Sequence, residues 1–170
     1  MMMQEPDVLK VIDCLETYGI PFWIDGGWGI DALIGTQSRP HMDLDLVILD
    51  KDVSKAAKEL GAFGYKHDAA VQPGLPARLV LRDGNGHEVD IHPIVIDARG
   101  HGWQPLGPES WGAYPSEGLD CTGKIAGRPV RCLSPQLQLR HHLGYSLGDS
   151  DRHDLKLLSK HFEIDLPPGF

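Results

Sequence analysis

The stretch HMDLDLVILD, residues 41–50, constrains the fold of this 170-residue chain more than any other feature. Its apolar residues predict a buried β-strand over 43–49, yet the strand carries two aspartates, Asp43 and Asp45. Side chains at positions i and i+2 of a strand point to the same face, so the two carboxylates lie roughly 6 to 7 Å apart. They repel each other unless a cation lies between them or one stays protonated. Oxygen ligands at this spacing suit Mg²⁺, so the strand predicts a metal site.

A glycine pair precedes this strand and provides a candidate anion site. Residues 21–25 predict a short strand, Gly26 and Gly27 follow it, and residues 28–34 have helical spacing that ends at Gly35. Glycines at a strand-to-helix turn leave backbone N–H groups open at the helix N-terminus, where phosphates bind. The pair alone is a weak signal, and the D-x-D strand that follows makes it specific.

A hairpin later in the chain predicts a third carboxylate. Residues 78–83 and 87–96 alternate in polarity around an Asn-Gly dipeptide, which is typical of a β-hairpin. Asp90 lies on the second of these strands, with His92 on the same face. If this strand pairs beside 43–49, Asp90 completes a three-aspartate cluster that would hold two divalent ions.

The rest of the chain predicts an α+β fold, in which a mixed sheet is flanked by helices and followed by a small C-terminal helical region. Helices are expected over 7–18, 51–64 and 151–162, a strand near Tyr65, a short β segment over 124–132, and a helix with Ser134 as N-cap and Pro135 as its first residue. Residues 97–120, rich in glycine and proline, predict a long functional loop.

Charge and composition narrow the possible partners and location. A net charge of -8 without a basic tail argues against nucleic acid or an anionic membrane as partner. Three cysteines without a C-x-x-C pairing predict reduced thiols, and the polar N-terminus lacks the features of a signal peptide. We therefore expect a cytoplasmic protein that does not span a membrane.

The combined motifs resemble the DNA polymerase β-like nucleotidyltransferase superfamily, whose signature is a glycine pair or Gly-Ser, a short helix and then D-x-D. Residues 23–48, 88–96 and 127–158 resemble the small lincosamide nucleotidyltransferases and, more loosely, the aminoglycoside 2''-nucleotidyltransferases. The sequence departs from the superfamily pattern in having 15 residues between Gly27 and Asp43, and Trp28 where many members carry Ser. The similarity is weakest over 97–120.

The resemblance implies Mg²⁺-dependent transfer of AMP, or another NMP, from a nucleoside triphosphate to an antibiotic hydroxyl, with release of pyrophosphate. It implies two Mg²⁺ ions, replaceable by Mn²⁺, with ATP as the expected co-substrate. Asp43, Asp45 and Asp90 match the family's metal ligands, and Asp90 also matches the carboxylate that activates the acceptor hydroxyl, although the sequence does not separate its two roles. Related small transferases pair as homodimers, which predicts the same for this chain. We expect the whole chain to divide into a nucleotidyltransferase domain over 1–120, with the mixed sheet and the metal ligands, and a region over 121–170 whose β segment and helices complete the acceptor side.

Further residues are predicted to contact the two substrates. The nucleotide-binding candidates are Gly26, Gly27, Trp28, Arg39 and His41, and the acceptor-binding candidates are His92, Trp103, Tyr145, Asp151, His153 and Asp154. Alternatives stay open at several of them: Arg39 and His41 fit a solvated loop equally well, and His92 fits a packed structural histidine. Trp103 fits a loop anchor, and Asp151 fits the N-cap of the last helix. The histidines at 141, 142 and 153 have no spacing that closes a zinc site.

Two other functions remain compatible with the sequence. One is a nucleotidyltransferase whose acceptor is a protein or tRNA, as in toxin-antitoxin systems, although the acidic balance weighs against tRNA. The other is a nucleotide-binding module without catalysis, against which the complete carboxylate set argues. An aminoglycoside is the alternative antibiotic acceptor.

Overall fold

A computed structural model describes residues 2–143 and 146–167 of the chain. The helices and strands, in chain order, are α1 (Glu5–Thr17), β1 (Phe22–Asp25), α2 (Gly26–Ile34), β2 (Asp43–Leu49), α3 (Asp50–Ala62), β3 (Lys66–His67), β4 (Leu79–Arg82), β5 (Glu88–Ile96), β6 (Gly102–Gly107), β7 (Ser110–Tyr114), β8 (Cys121–Ile125), β9 (Arg128–Cys132), α4 (Pro135–His142) and α5 (Asp149–Phe162). A 3₁₀ helix, Ser116–Gly118, follows β7. The predicted helices and the strands around both aspartate motifs are present, with ends shifted by up to two residues.

Within the described ranges, nine strands form one sheet, which confirms the predicted mixed α+β fold. Its main path runs β3-β4-β5-β2-β1-β9-β8, and the β6–β7 hairpin extends from the end of β5. β2 is parallel to β5, and β1 is parallel to β9, whereas the other neighbours are antiparallel. The pairing of β2 with β5 is the one on which the predicted aspartate cluster depended.

The two faces of β2 have different environments because its side chains alternate. Leu44, Leu46 and Ile48 all point into the main hydrophobic core, where residues of α1, α2 and α3 cover the sheet. Val47, on the opposite face, packs in a second core with residues of α4 and the β6–β7 hairpin. Asp43 and Asp45 share this second face and lie beyond its apolar part, so burial of the leucines fixes where the carboxylates point.

The Asn-Gly hairpin is confirmed, whereas the prediction of a long loop over 97–120 is wrong. Asp83 organises the β4–β5 turn by accepting hydrogen bonds from the backbone N–H groups of Asn85 and His87. The region predicted as loop instead contains β6, β7 and the 3₁₀ helix. β6 pairs with β5 only at Val95 and Ile96, so β6 and β7 lie at the margin of the sheet. Exposed aromatic residues, glycines and prolines there obscure the alternation that marks a half-buried strand.

The C-terminal elements pack directly on the sheet and on α2. β9 continues the sheet next to β1, with Ile24 opposite Cys132, so the predicted boundary at residue 120 stays a prediction. Ser134 caps α4 by accepting a hydrogen bond from Leu137 N–H, as predicted. α5 packs on α2 through Ile30, Leu155 and Leu158. None of the helices in the described ranges has the length and apolar character needed to cross a bilayer.

Candidate active site

Three carboxylates form a row across adjacent strands. Asp25 on β1 is opposite Asp45 on β2, and Asp45 is opposite Asp90 on the parallel strand β5. Residues opposite each other in a sheet point to the same face, so the row lies on the side away from the main core. Asp43, two residues before Asp45, shares this face. The sheet therefore brings together the three predicted aspartates and adds Asp25.

The row opens into a polar cavity of about 640 Å³. Its acidic lining residues are Asp25, Asp43, Asp45, Asp90 and Asp151, and its other polar lining includes Gly26, Gly27, Arg39, Arg78, His141 and His142. Carboxylates together with guanidinium groups and the N-terminus of a helix suit a metal-bound polyphosphate. Three of the residues predicted to bind the nucleotide, Gly26, Gly27 and Arg39, thus line this cavity.

A compact set of ligand atoms fits a divalent cation. One ligand atom each from Asp45, Asp90 and His92 lies within 4.8 Å of the others. Two of the three are carboxylate oxygens, the ligands that Mg²⁺ and Mn²⁺ favour in proteins. Asp43 lines the same cavity but lies outside this compact set. The donor chemistry therefore fits a metal at Asp45 and Asp90, and ligation by Asp43 remains a prediction.

The electrostatics of the cluster show an excess of negative charge. Desolvation, followed by the charges of Asp45 and Glu88, raises the pKa of Asp43 to about 6. Burial also raises the pKa of Asp90, although His92 and Arg78 partly oppose this. Burial works against the charged form of His92, but a hydrogen bond to Asp45 and the surrounding carboxylates raise its pKa to about 9. In all three groups, the charges of neighbouring carboxylates favour the more positive protonation state, in agreement with an excess of negative charge that a cation would offset.

His92 is held between the carboxylates and a polar network. Its Nε2 lies 3.3 Å from Asp45 Oδ1 and 3.7 Å from Asp90 Oδ2. On the other side of the ring, Nδ1 lies 3.2 Å from Gln104 Nε2. Gln104 donates a hydrogen bond to the Ala77 carbonyl at 2.8 Å and accepts one from the Tyr114 hydroxyl at 2.7 Å. His92 therefore orients the carboxylates, and Gln104 and Tyr114 fix the ring through contacts that sequence reasoning missed.

Asp25 links the row to the start of α2. As the N-cap residue it accepts a hydrogen bond from Gly26 N–H at 2.7 Å, and its other oxygen lies 3.4 Å from His141 Nδ1. Burial would raise its pKa, but the hydrogen bond and charge of His141 outweigh this effect and lower the pKa. Asp25 therefore both caps α2 and lines the cavity.

The glycine pair is required by close packing around the N-terminus of α2. A Cβ on Gly26, whose φ is +60°, would lie 2.2 Å from Asp45 Oδ2. A Cβ on Gly27 would lie 2.3 Å from His41 Nδ1 and 2.8 Å from an Arg39 guanidinium nitrogen. Real Cβ atoms do not approach other atoms so closely. Glycine therefore lets the helix N-terminus reach the carboxylates.

Three predicted nucleotide-binding residues have different environments. Arg39 lines the cavity and binds the buried carboxylate of Asp154 through hydrogen bonds of 2.8 and 2.6 Å. His41 is buried, and its Nε2 lies 2.5 Å from Asp31 Oδ2. Trp28 is also buried, with its ring centroid 4.8 Å from that of His41. Neither Trp28 nor His41 lines the cavity. Both side chains pack behind Gly27, and a nucleotide contact by either of them remains only a prediction.

The predicted acceptor-binding residues do not form one group. Asp151 lines the cavity, where its carboxylate accepts a hydrogen bond from Gly148 N–H, the N-cap of α5. Asp154 is buried against Arg39 and His153 is exposed, and neither lines the cavity. Trp103 donates a hydrogen bond to Asp97 on a separate apolar surface. Tyr145 lies outside the described residues.

Arg78 is the main cavity residue that sequence reasoning missed. Its guanidinium binds both carboxylate oxygens of Asp90, with Nε donating to Oδ1 at 3.1 Å and Nη2 donating to Oδ2. The hairpin register offered a signal, because Val80 pairs with Asp90 and Arg78 lies two residues before Val80 on the same face. Counting from the turn would therefore have identified Arg78 as a neighbour of Asp90.

Known proteins with similar sequences are antibiotic-modifying enzymes or resistance proteins. Residues 7–158 match the family model described as aminoglycoside-2''-adenylyltransferase. A lincosamide resistance protein from Staphylococcus haemolyticus is 30% identical over 154 residues, which cover 91% of this chain and 93% of that relative. A 2''-aminoglycoside nucleotidyltransferase from Escherichia coli is 29% identical over 129 residues, which cover 74% of this chain and 64% of the enzyme.

Solved structures show the same fold. A lincomycin-bound lincosamide antibiotic adenylyltransferase, LnuA, superposes with a TM-score of 0.83 at 29% identity, covering 94% of this chain and 98% of that one. ANT(2'')-Ia in complex with adenylyl-2''-tobramycin gives a TM-score of 0.73 at 21% identity, covering 94% and 89%. At 21% identity, the similarity to ANT(2'')-Ia shows a shared fold and no more.

The fold and the acidic cavity define an enzyme of the nucleotidyltransferase type. The chain belongs to the aminoglycoside-2''-adenylyltransferase family. The predicted resemblance to antibiotic nucleotidyltransferases is therefore confirmed, and use of a nucleotide substrate and a metal follows from it.

Proposed function

We propose that this chain transfers AMP from ATP to a hydroxyl of a lincosamide antibiotic, with release of pyrophosphate. The observation that carries the proposal is the pairing of Asp45 with Asp90 beside the N-terminus of α2, in a cavity large enough for a nucleotide. The lincosamide resistance protein that covers nearly the same length supports the choice of acceptor. Two divalent cations held by Asp43, Asp45 and Asp90 would neutralise the phosphates and lower the pKa of the attacking hydroxyl.

The residues of the chain have separate tasks in this reaction. Gly27 N–H at the start of α2, together with the guanidinium of Arg39, would bind phosphate oxygens, whereas Gly26 N–H donates to Asp25. The acceptor hydroxyl forms a bond to the α-phosphorus while the bond to the β-phosphate oxygen breaks, and pyrophosphate leaves with that electron pair. The hydroxyl proton would pass to Asp90, which lines the cavity beside Asp45.

An aminoglycoside is the second candidate acceptor, favoured by the charge of the cavity. Five aspartates line it, and a polycationic sugar would be attracted to those that are not neutralised by metal. The shorter coverage of the Escherichia coli aminoglycoside enzyme, 64% of its length, weighs against this choice. A lincosamide therefore remains the first candidate.

A substrate panel tests the proposal. The purified chain is incubated with Mg²⁺, each of the four nucleoside triphosphates, and lincomycin, clindamycin or an aminoglycoside, and products are measured by mass spectrometry and pyrophosphate release. We expect an adenylylated lincosamide. Turnover of aminoglycosides alone would select the second candidate. No product in any combination, with labelled ATP instead marking a protein or tRNA in a lysate, would overturn both.

We also propose that the chain forms a homodimer through an apolar surface outside the cavity. Val95, Trp103 and Trp111 are 51%, 38% and 54% exposed and line a hollow of about 410 Å³ with Asp97. Exposed aromatic clusters of this kind are typical of protein interfaces. Sedimentation equilibrium should give a dimer for the wild type and a monomer for Trp111→Ser, whereas a wild-type monomer would contradict the proposal.

A further inference from the structure

Arg78 binds the carboxylate to which the proposed reaction assigns the central role. Its guanidinium reaches both oxygens of Asp90, and the side chains are 30% and 5% exposed. A two-point, charge-assisted contact of this kind is stronger than an ordinary hydrogen bond. It also neutralises the charge that would otherwise attract a cation to Asp90. Arg78 therefore occupies and neutralises the carboxylate of Asp90.

A metal ion at Asp90 and the guanidinium of Arg78 oppose each other. They use the same carboxylate oxygens, and a divalent metal ion bound there would repel the guanidinium of Arg78, which lies against the same carboxylate. The compact ligand set contains Asp90, so a metal there cannot avoid this competition. Binding of the metal is then easiest when Arg78 has another anion to bind.

The cavity places such an anion within reach. Arg78 lines the same cavity as Gly27 and Arg39, where the nucleotide phosphates are proposed to bind. A guanidinium matches a phosphate in two-point geometry as well as it matches a carboxylate. The two arginines differ, because Asp154, the partner of Arg39, lies outside the cavity lining, whereas Asp90, the partner of Arg78, lies in it.

We propose that Arg78 exchanges between Asp90 and the phosphates of the nucleotide, so that binding of nucleotide releases Asp90 for the metal. The inference rests on the proposed function, since it takes a nucleoside triphosphate as the ligand. It makes Arg78 a substrate-binding residue that couples the two binding events. The coupling is reciprocal, so metal at Asp90 also frees Arg78 for phosphate.

The coupling is tested by binding measurements without antibiotic. Mn²⁺ is titrated by electron paramagnetic resonance in the absence of nucleotide, with Asp90→Asn identifying binding at this site. Arg78→Gln should bind Mn²⁺ about tenfold more tightly than the wild type, equivalent to about 1.4 kcal/mol. In EDTA, the same variant should bind metal-free ATP about tenfold more weakly, because a charge-assisted phosphate contact is lost.

Arg82→Gln is the matched control. Arg82 is the last residue of β4, which begins directly after Arg78, and it pairs with Asp68 and Glu88. This variant therefore removes one positive charge from the same hairpin without opening Asp90. Its Mn²⁺ and ATP affinities should change less than about threefold, as expected for an exposed ion pair. The variants are first compared by circular dichroism melts.

Arg78→Lys keeps the inference falsifiable if Arg78→Gln fails to fold. A lysine keeps the charge but cannot bind both oxygens of Asp90, so Mn²⁺ should bind more tightly than in the wild type while ATP affinity is largely kept. Unchanged or weaker Mn²⁺ binding in the folded Arg78 variants would overturn the exchange and leave Arg78 as a fixed support for Asp90. These binding measurements contain no antibiotic, so a wrong choice of acceptor, which would make the substrate panel fail, would not by itself leave Mn²⁺ binding unchanged or weaker in the Arg78 variants.

Discussion

Arg39 and Asp154 form a two-point ion pair between segments 115 residues apart. The pair joins the segment before β2 to α5, and Asp154 is 1% exposed, whereas Arg39 reaches the cavity wall at 25% exposure. The last helix thus holds the guanidinium proposed to bind phosphate. A C-terminal element far from the carboxylate row in sequence thereby contributes to the nucleotide side of the cavity.

The first prediction concerns this ion pair. Asp154→Asn should lower the free energy of unfolding by about 2 to 3 kcal/mol, because a hydrogen-bonded charge pair loses one charge. It should also raise the KM for ATP, since Arg39 loses its fixed orientation. Thermal unfolding and steady-state kinetics measure the two effects. Asp149→Asn, an exposed change on the same helix, is the control, and equal effects of both variants would contradict the prediction.

The second prediction separates backbone strain from contact at the glycine turn. Gly26→Ala and Gly35→Ala both place alanine at a positive φ, +60° and +85°, and each should lower stability by about 1 to 2 kcal/mol. A Cβ at Gly26 would also meet Asp45, whereas nothing lies within 4 Å of one at Gly35. Turnover should therefore fall sharply only in Gly26→Ala. Equal turnover in the two folded variants would show that the close approach to Asp45 has no role.

The third prediction concerns chemistry at Asp90. Asp90→Asn should reduce turnover by about 10²- to 10⁴-fold, the range typical of a lost general base, while ATP binding is largely kept. Single-turnover kinetics and equilibrium ATP binding test the two parts. Asp68→Asn breaks the ion pair between Asp68, which follows β3, and Arg82 on β4; this pair lies outside the cavity, so the variant should retain turnover. Retained turnover in Asp90→Asn would leave this carboxylate without a catalytic role.

The fourth prediction is a pH dependence of stability caused by Asp43. Its pKa of about 6 in the folded protein lies above the value of about 3.9 for an unfolded chain. Above the folded pKa, the charged Asp43 destabilises the metal-free protein, and this penalty disappears as the pH falls from about 6 to about 4. In EDTA, Asp43→Asn should therefore raise the Tm at about pH 8, and the gain should vanish near pH 4.

Asp50→Asn provides the comparison for that pH series. Asp50 is exposed at the start of α3, away from the carboxylate row, so its substitution should shift the Tm by a small amount that does not follow this pH pattern. Mg²⁺ should raise the wild-type Tm at about pH 8, because a ligand that binds the folded state stabilises it. If Asp43→Asn raised the Tm by the same amount at every pH, the charge of Asp43 would not be the cause of the destabilisation, and the prediction would be contradicted.

Local sequence patterns were sufficient for the elements that carry the carboxylates. The alternation of β2 requires Asp43 and Asp45 to share a face, and the Asn-Gly turn fixes the hairpin that contains Asp90. The glycine pair also predicted the helix N-terminus at the site. These features depend on a few neighbouring residues, so they can be predicted without knowing the rest of the fold. The weak alternation over 97–120 is where the same approach failed.

The partners of the site residues depended on contacts between distant segments. The packing of helices and strands decides that Arg39 lies against Asp154 and not in solvent. It also decides that Trp28 and His41 pack behind Gly27, and that Trp103 lies on a surface apart from the carboxylates. The sequence by itself thus determined which carboxylates share a sheet face, because alternation is a property of a single strand. Only the tertiary structure decided which cations oppose them, because side chains from separate elements meet only when the sheet and helices are assembled.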